Sequence, residues 1–526
     1  MSQMLKSSGA MGFATLVSRV LGMVREMVYA GYMGDSPVAG IFKLAYTIPN
    51  LFRRLLGEGA LTAAFIPTFK DKERKEGEAS MWESANAVLS ATLVATGVIV
   101  LLAWAGLSAA LASQAWSGET RLVLELTRLM FPYLMLVCVA AILIGMLNSR
   151  GHFFVPAMGA AMLNVVMILA VFLIAPRFGA SLEQQVYGLG VGILLAGVAQ
   201  VIYQVPTLWK QGFRFRWITP WKHPTVVEVT RKMIPGTLGV AAFQINVLFT
   251  QLLAFHVDPV INAAFDYAVR LMEFPQGIFG LSLATYLLPT LSGMAAEKKY
   301  PEFRSTLVRG LEHLLFVNLF ASGLLLALAE PMVRLILERG AFTATSTDRV
   351  SFALTCLAPG LVFFSMVHVL ARAFYALGDT RTPMRIGAFC LAMNLLFAWW
   401  LIPAFRQGGM GIANTLSSLM NVGLLLFALR KKLPAIDFSG MKRSGQGMLA
   451  CAALACLVAL GVRMMWTQWL GHATLPARLG EVFGPILISG LVYAAVSWWS
   501  GISSAKEILR LAGSKFRSWT GFQGTG

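Results

Sequence analysis

The chain predicts an all-α polytopic membrane protein of about 14 transmembrane helices: two six-helix lobes in parallel repeat around a central cavity, then two C-terminal helices. Three observations predict it. The 526 residues are 57% hydrophobic and only 13% charged, with a mean hydropathy of +0.68, well outside soluble composition. Apolar runs of about 20 residues, the length that crosses a bilayer, recur from the N-terminus to beyond residue 490. Two stretches of sequence also repeat at nearly one offset.

Apolar runs read against turn signals place the spans at 8–33, 38–66, 82–112, 122–148, 155–176, 185–208, 229–256, 261–292, 304–329, 347–376, 384–404, 409–429, 446–469 and 480–500. The first resembles a signal peptide, but it carries Arg19 and Arg25 and shows no clear small-residue cleavage site, so it reads as a retained span. Lysine and arginine cluster in alternate connections: Lys70 to Lys75, Lys210 to Lys232, Lys298 to Arg304, Arg381 and Arg385, Arg430 to Arg443, and Lys506 to Arg517. That alternation follows the positive-inside rule and puts both termini in the cytoplasm, consistent with the even count of spans. The formal charge of +18 is thus placed against anionic lipid headgroups, and nucleic acid is not needed to explain it. The longest polar connection, 209–232, is too short to fold alone as an enzyme. Five cysteines lie inside apolar segments with neither disulfide nor metal spacing, and the six histidines are scattered.

The repeat defines the organisation. Pro132, Gly151, Pro156 and Pro176 match Pro359, Gly378, Pro383 and Pro403, each pair 227 residues apart, and Pro67 matches Pro289 at 222. A unit of six spans enters the membrane from the same side each time, the arrangement of transporters whose substrate site lies between halves. The expected divisions are an N-terminal lobe at 1–218 with a basic linker, a second lobe at 219–436, and two extra helices with a basic tail at 437–526.

Charges inside the spans are the candidate site. A charged side chain at the bilayer centre costs about 2.5–3.5 kcal/mol on insertion scales, so these residues should face something polar. In the first span, Ser18, Gly22 and Arg25 share a helical stripe, with Arg19 and Glu26 on an overlapping face. Either arginine could instead snorkel to an interface. In the second span, Pro49 can break the helix beside Arg53 and Arg54, and Gly57 and Gly59 loosen the next turn. Arg54 could pair with Glu58, leaving Arg53 for a ligand. In the eighth span, Arg270, Glu273 and Pro275 repeat the theme, with Glu273 as ligand-site partner or simple counter-ion. Four or five guanidinium groups against Glu26, Glu58 and Glu273 favour an anionic cargo, and the planar fork suits phosphate oxygens. The turn at 376–385, with Asp379, Arg381 and Arg385, reads as a capped turn with cytoplasmic arginines. No metalloprotease, phosphate-loop, serine-hydrolase or CxxC motif is present, so no catalytic residue, metal or cofactor is assigned.

SRVLGMVRE at 18–26, PNLFRRLLGEGA at 49–60, RLMEFPQGIFG at 270–280 and ARAFYALGDTRTP at 371–383 together resemble the MurJ (MviN) family, bacterial lipid II flippases of the multidrug/oligosaccharidyl-lipid/polysaccharide exporter superfamily. The likeness covers roughly 5–430. It implies a monomeric inner-membrane transporter, with a lipid-tail groove at the last two helices, that carries undecaprenyl-diphosphate-linked peptidoglycan precursor to the outer leaflet. It also implies functional roles for Arg19, Arg25, Arg53 and Arg270. The pattern departs at Gly40, where an aspartate is usual, at Glu26, where aspartate is usual, at Val269, where an acid is common before Arg270, and at Thr250, where many members have the acid of a sodium site. Sodium dependence is therefore not expected. The rival readings are a flippase for another polyprenyl-linked glycan and a drug antiporter of the same superfamily. A cationic drug would call for excess acid in the spans, the reverse of this sequence.

Overall fold

The computed structural model describes residues 2–57, 60–113, 116–221, 223–508 and 510. Among them are eighteen α-helices and no strand. In chain order they are α1 (Ser2–Met33), α2 (Pro37–Phe52), α3 (Ala60–Glu76), α4 (Glu78–Ser113), α5 (Gly118–Met130), α6 (Tyr133–Ser149), α7 (Phe154–Leu173), α8 (Leu182–Lys210) and α9 (Pro224–Val257). There follow α10 (Val260–Pro275), α11 (Ser282–Ala296), α12 (Tyr300–Leu337), α13 (Ala344–Leu357), α14 (Gly360–Ala376), α15 (Arg381–Phe405), α16 (Gln407–Lys432), α17 (Ser439–Trp469) and α18 (Leu475–Trp499).

Each expected span coincides with one helix or with a helix pair interrupted inside the span, as at α2–α3, α5–α6, α10–α11 and α13–α14. Among the described residues, eleven helical segments are long and apolar enough to cross a bilayer unaided, and twelve with the pair α13–α14, bent by 45°. The charge-bearing α1 and α2–α3 stand outside that group. In hydrocarbon only helices and closed barrels satisfy every backbone polar group, and apolar runs of about 20 residues have the length of helical crossings.

The chain divides into two compact units. The first runs to Ala263 and includes 339–342, whose Ala341 N–H donates to the Gly31 carbonyl at 2.8 Å. Its core joins Phe65 and Phe69 of α3, Met81 and Val88 of α4, Ile142 and Met146 of α6, and Leu208 of α8. Helices approach closely where side chains are small: a Cβ on Gly192 of α8 would lie 2.4 Å from the Ala170 methyl of α7. The second unit takes the rest from Ala264. It is built on α11, α12, α14 and α16 through Leu287, Phe303, Val369, Phe374 and Leu425. There α17 and α18 pack on α12, with the Tyr493 ring stacked against Phe316 and Phe320 at 4.8 and 4.7 Å and its hydroxyl donating to the Phe316 carbonyl.

The helix breaks expected beside the intramembrane arginines are present, and both take the same form. Pro49 lies in the last turn of α2, and the chain then runs through a π-helical turn at Arg53–Gly57 before α3. Pro275 ends α10, and a π-helical segment follows at Gln276–Leu281. The two interruptions are separated by nearly the offset of the sequence repeat. A π-turn widens the helix by one residue, and such turns concentrate at functional positions.

Candidate substrate site

In the first unit the polar stripe of α1 faces α7 and α2. Arg25 is only partly exposed and does not snorkel: Nη1 donates to Asn164 Oδ1 of α7 at 3.1 Å and Nη2 to Glu26 Oε1. Asn164 in turn donates to the Ser18 carbonyl at 3.2 Å, so the predicted Ser18–Arg25 stripe is bound to α7 through one buried amide. Glu26 is 3% exposed and its second oxygen accepts from Lys43 Nζ of α2 at 2.7 Å. Lys43 also lies 6.0 Å from the centre of the Tyr29 ring. Arg19 is exposed. Arg53 and Arg54 sit in the π-turn, where Arg53 Nε donates to Asn50 Oδ1 at 2.7 Å. Glu58, the suggested partner of Arg54, lies outside the described residues.

In the second unit Arg270 pairs with Glu273 at 3.0 Å one turn away, the counter-ion arrangement the spacing allowed, with both side chains partly exposed. The adjoining π-segment packs on α14: a Cβ on Gly280 would fall 2.6 Å from Ser365 Oγ. Ser365 donates to Asn318 of α12 at 3.2 Å, and Gln276 lies 3.5 Å from His368.

Sequence reasoning missed Lys43 and Asn164, which complete the Arg25–Glu26 group. Each was a polar residue in an apolar run, the signal that had drawn attention to the arginines. The departures have local counterparts. A Cβ on Gly40 would lie 1.8 Å from the Pro259 carbonyl oxygen, so the packing of this chain leaves no room there for an aspartate. Thr250 is buried and its hydroxyl donates to the Asn246 carbonyl at 2.9 Å, one helical turn back. Among the described residues no group of three or more His, Cys, Asp or Glu is placed to hold a metal ion.

The turn at 376–385 is a cap. Asp379 accepts from the Thr382 N–H at 3.0 Å, the Thr382 hydroxyl at 2.8 Å and Lys432 Nζ at 2.6 Å. Lys432 first, then the Thr382 N–H, holds this carboxyl well below the usual carboxylate range. A depressed folded-state pKa contributes stability above the unfolded value of about 3.9, and the contribution is lost as pH falls through the lower folded value. Asp379→Ala is expected to cost about 1 kcal/mol near pH 7, as loss of a helix cap does. The check is thermal unfolding in detergent: the deficit against the parent should narrow below about pH 4.

Eleven to twelve apolar helical spans among the described residues, with charge-bearing helices beside them, define a polytopic α-helical membrane protein, and its fold is one already seen in solved structures. A solved inward-facing multidrug resistance MATE family transporter of the MOP superfamily matches with a TM-score of 0.66 at 13% identity, over 80% of this chain and 96% of that one. A structure titled "Lipid II flippase MurJ, inward closed conformation" matches with a TM-score of 0.74 at 22% identity, over 93% of this chain and 97% of that one.

The chain belongs to the MurJ family: the family described as "Lipid II flippase MurJ" matches residues 29–479. The probable lipid II flippase MurJ of Vibrio cholerae is 34% identical over 440 residues, covering 80% of this chain and 82% of its own. The lipid II flippase MurJ of Burkholderia cenocepacia is 29% identical over 93% of this chain and 96% of its own. Membership makes the chain a multi-pass inner-membrane transporter with lipid II as the family's substrate.

Proposed function

We propose that the chain moves lipid II, the undecaprenyl-diphosphate-linked peptidoglycan precursor, from the inner to the outer leaflet by alternating access. Arg19, Arg25, Arg53 and Arg270, drawn from both halves of the repeat, take the diphosphate, while the isoprenoid tail stays in lipid against the two C-terminal helices. The reading adopts the divisions 1–218, 219–436 and 437–526, a monomer with both termini in the cytoplasm, and no chemistry performed on the cargo. The observation that carries it is the half-buried Arg25, oriented by Glu26 and Asn164 instead of escaping to solvent. Glu26 already compensates that charge, so what supports the reading is a guanidinium held in one orientation inside the span, its planar fork suited to exchanging a carboxylate for a phosphate oxygen. Binding neutralises mutually repelling cations, and only that difference in affinity between states can drive a change of conformation. A membrane potential acts on the same charges at about 2.3 kcal/mol per charge per 100 mV.

Anionic headgroups fit the segment after α8. Arg214 and Arg216 alternate there with exposed Phe215 and Trp217, and the backbone is pinned to α4 by Asn86 and Ser90. The test of the function is direct. Purified protein in proteoliposomes with labelled lipid II should move the label across the bilayer, faster with an imposed potential of one sign. Equal rates in protein-free vesicles would refute it.

A further inference from the structure

We propose that Lys43 is a positioning residue for substrate binding: it holds the carboxylate of Glu26 so that Arg25 can exchange that carboxylate for a phosphate oxygen. The inference rests on the diphosphate reading above and adds a residue to it. Glu26 divides its two oxygens, Oε1 to Arg25 Nη2 and Oε2 to Lys43 Nζ at 2.7 Å. The three side chains are 4%, 14% and 10% exposed for Glu26, Arg25 and Lys43, so the group sits largely out of water on α1 and α2.

Two consequences follow from charge alone. An Arg25–Glu26 pair by itself is neutral and offers an approaching anion little attraction. Lys43 adds a positive charge to that pair. The second consequence concerns the exchange. When the Arg25 fork turns to phosphate, a buried Glu26 left alone would be an uncompensated anion, an arrangement proteins avoid strongly. Lys43 stays on Oε2 and neutralises it. Asn164 keeps the other guanidinium nitrogen in place meanwhile, through its own bonds to the Ser18 and Ala160 carbonyls. An ammonium suits the holding role, being a compact charge needing one acceptor, whereas the planar fork suits the exchanging one.

The experiment is binding of fluorescent lipid II to the full-length protein in detergent, with thermal unfolding of each variant recorded alongside. Lys43→Met should weaken binding about tenfold or more, because Arg25 is then committed to Glu26. Adding Glu26→Gln to Lys43→Met frees Arg25 and restores the net charge, so binding should return to within a few-fold of the parent. Lys43→Arg should bind nearly as the parent does. A purely structural lysine would not be rescued by removing its partner's charge. Unchanged binding by Lys43→Met, or a double variant no better than the single one, would overturn the proposal. If Lys43→Met does not fold, the double variant decides: a tenfold loss there overturns it, and near-parental binding supports it. Arg25→Ala is run in parallel to separate the two layers. Full binding by that variant removes the diphosphate reading itself, whereas loss there with unchanged Lys43→Met removes only the role of Lys43.

Discussion

Arg25→Lys is expected to reduce lipid II translocation in proteoliposomes by about 10- to 100-fold while leaving expression and thermal stability nearly unchanged. The range follows from the interactions lost. Charge is retained, but a fork that bonds Asn164 with one nitrogen and Glu26 or a phosphate with another becomes a single ammonium. Hydrogen bonds to charged groups contribute about 1.5–3 kcal/mol each, and about 1.4 kcal/mol is a factor of ten. Lysine can still pair with Glu26, so the stabilising part of the interaction survives and the loss should fall on transport. Full translocation by the variant would mean that Arg25 is a structural cation and that the cargo's phosphates are met elsewhere. Translocation and stability falling together would point the same way.

The spans were legible because a bilayer imposes a length. Each helical crossing needs about 20 apolar residues, and the one other structure that satisfies the backbone in hydrocarbon, a closed barrel, uses runs of about half that length. The interruptions after Pro49 and Pro275 were legible for a related reason, since a missing N–H inside a helix has local consequences. Their π-helical form was not, because neighbouring helices decide how the freed carbonyls are met. The site was legible as a set of arginines and not as a geometry. Nothing in spacing joins Glu26 to Lys43, seventeen positions on and across a turn, or Arg25 to Asn164, 139 positions away. Attention to guanidinium groups also passed over a lone lysine in an apolar run.

The same blindness hid a heavily charged group where α12, α17 and α18 meet. Glu330 and Arg334 of α12 and Glu338 just past its end stand one turn apart in a ladder that spacing alone reveals, but their partners Arg463, Arg478 and Glu481 come from the last two helices, which lie outside the repeat. Arg334 Nη1 donates to both oxygens of Glu481 at 3.1 and 3.3 Å, Arg463 Nε lies 3.6 Å from Glu481, and Arg334 and Arg463 each also pair with Glu330. Arg478 closes the set on Glu338 at 3.2 Å. Three arginines and three glutamates balance, so the group has no electrostatic appetite for a ligand. Its effect is to fasten α17 and α18 to α12.

Glu481→Ala is therefore expected to be the most destabilising single change in this region. Glu481 is fully buried, and removing it strips Arg334 and Arg463 of a shared carboxylate. Breaking a buried pair from one side costs roughly 3–5 kcal/mol, and the lower end applies here because Glu330 still serves both arginines. The loss should appear as a lower unfolding midpoint in detergent and as new proteolytic cleavage near 470–474, between α17 and α18. Replacing both members, as in Arg334→Met with Glu481→Leu, should recover much of the midpoint, since apolar side chains of similar volume do not carry the desolvation cost of the ions. A double variant no more stable than Glu481→Ala would show that the pair gives this junction more than charge balance. In that case the ionic group would have to be treated as setting the register of α17 and α18 on α12.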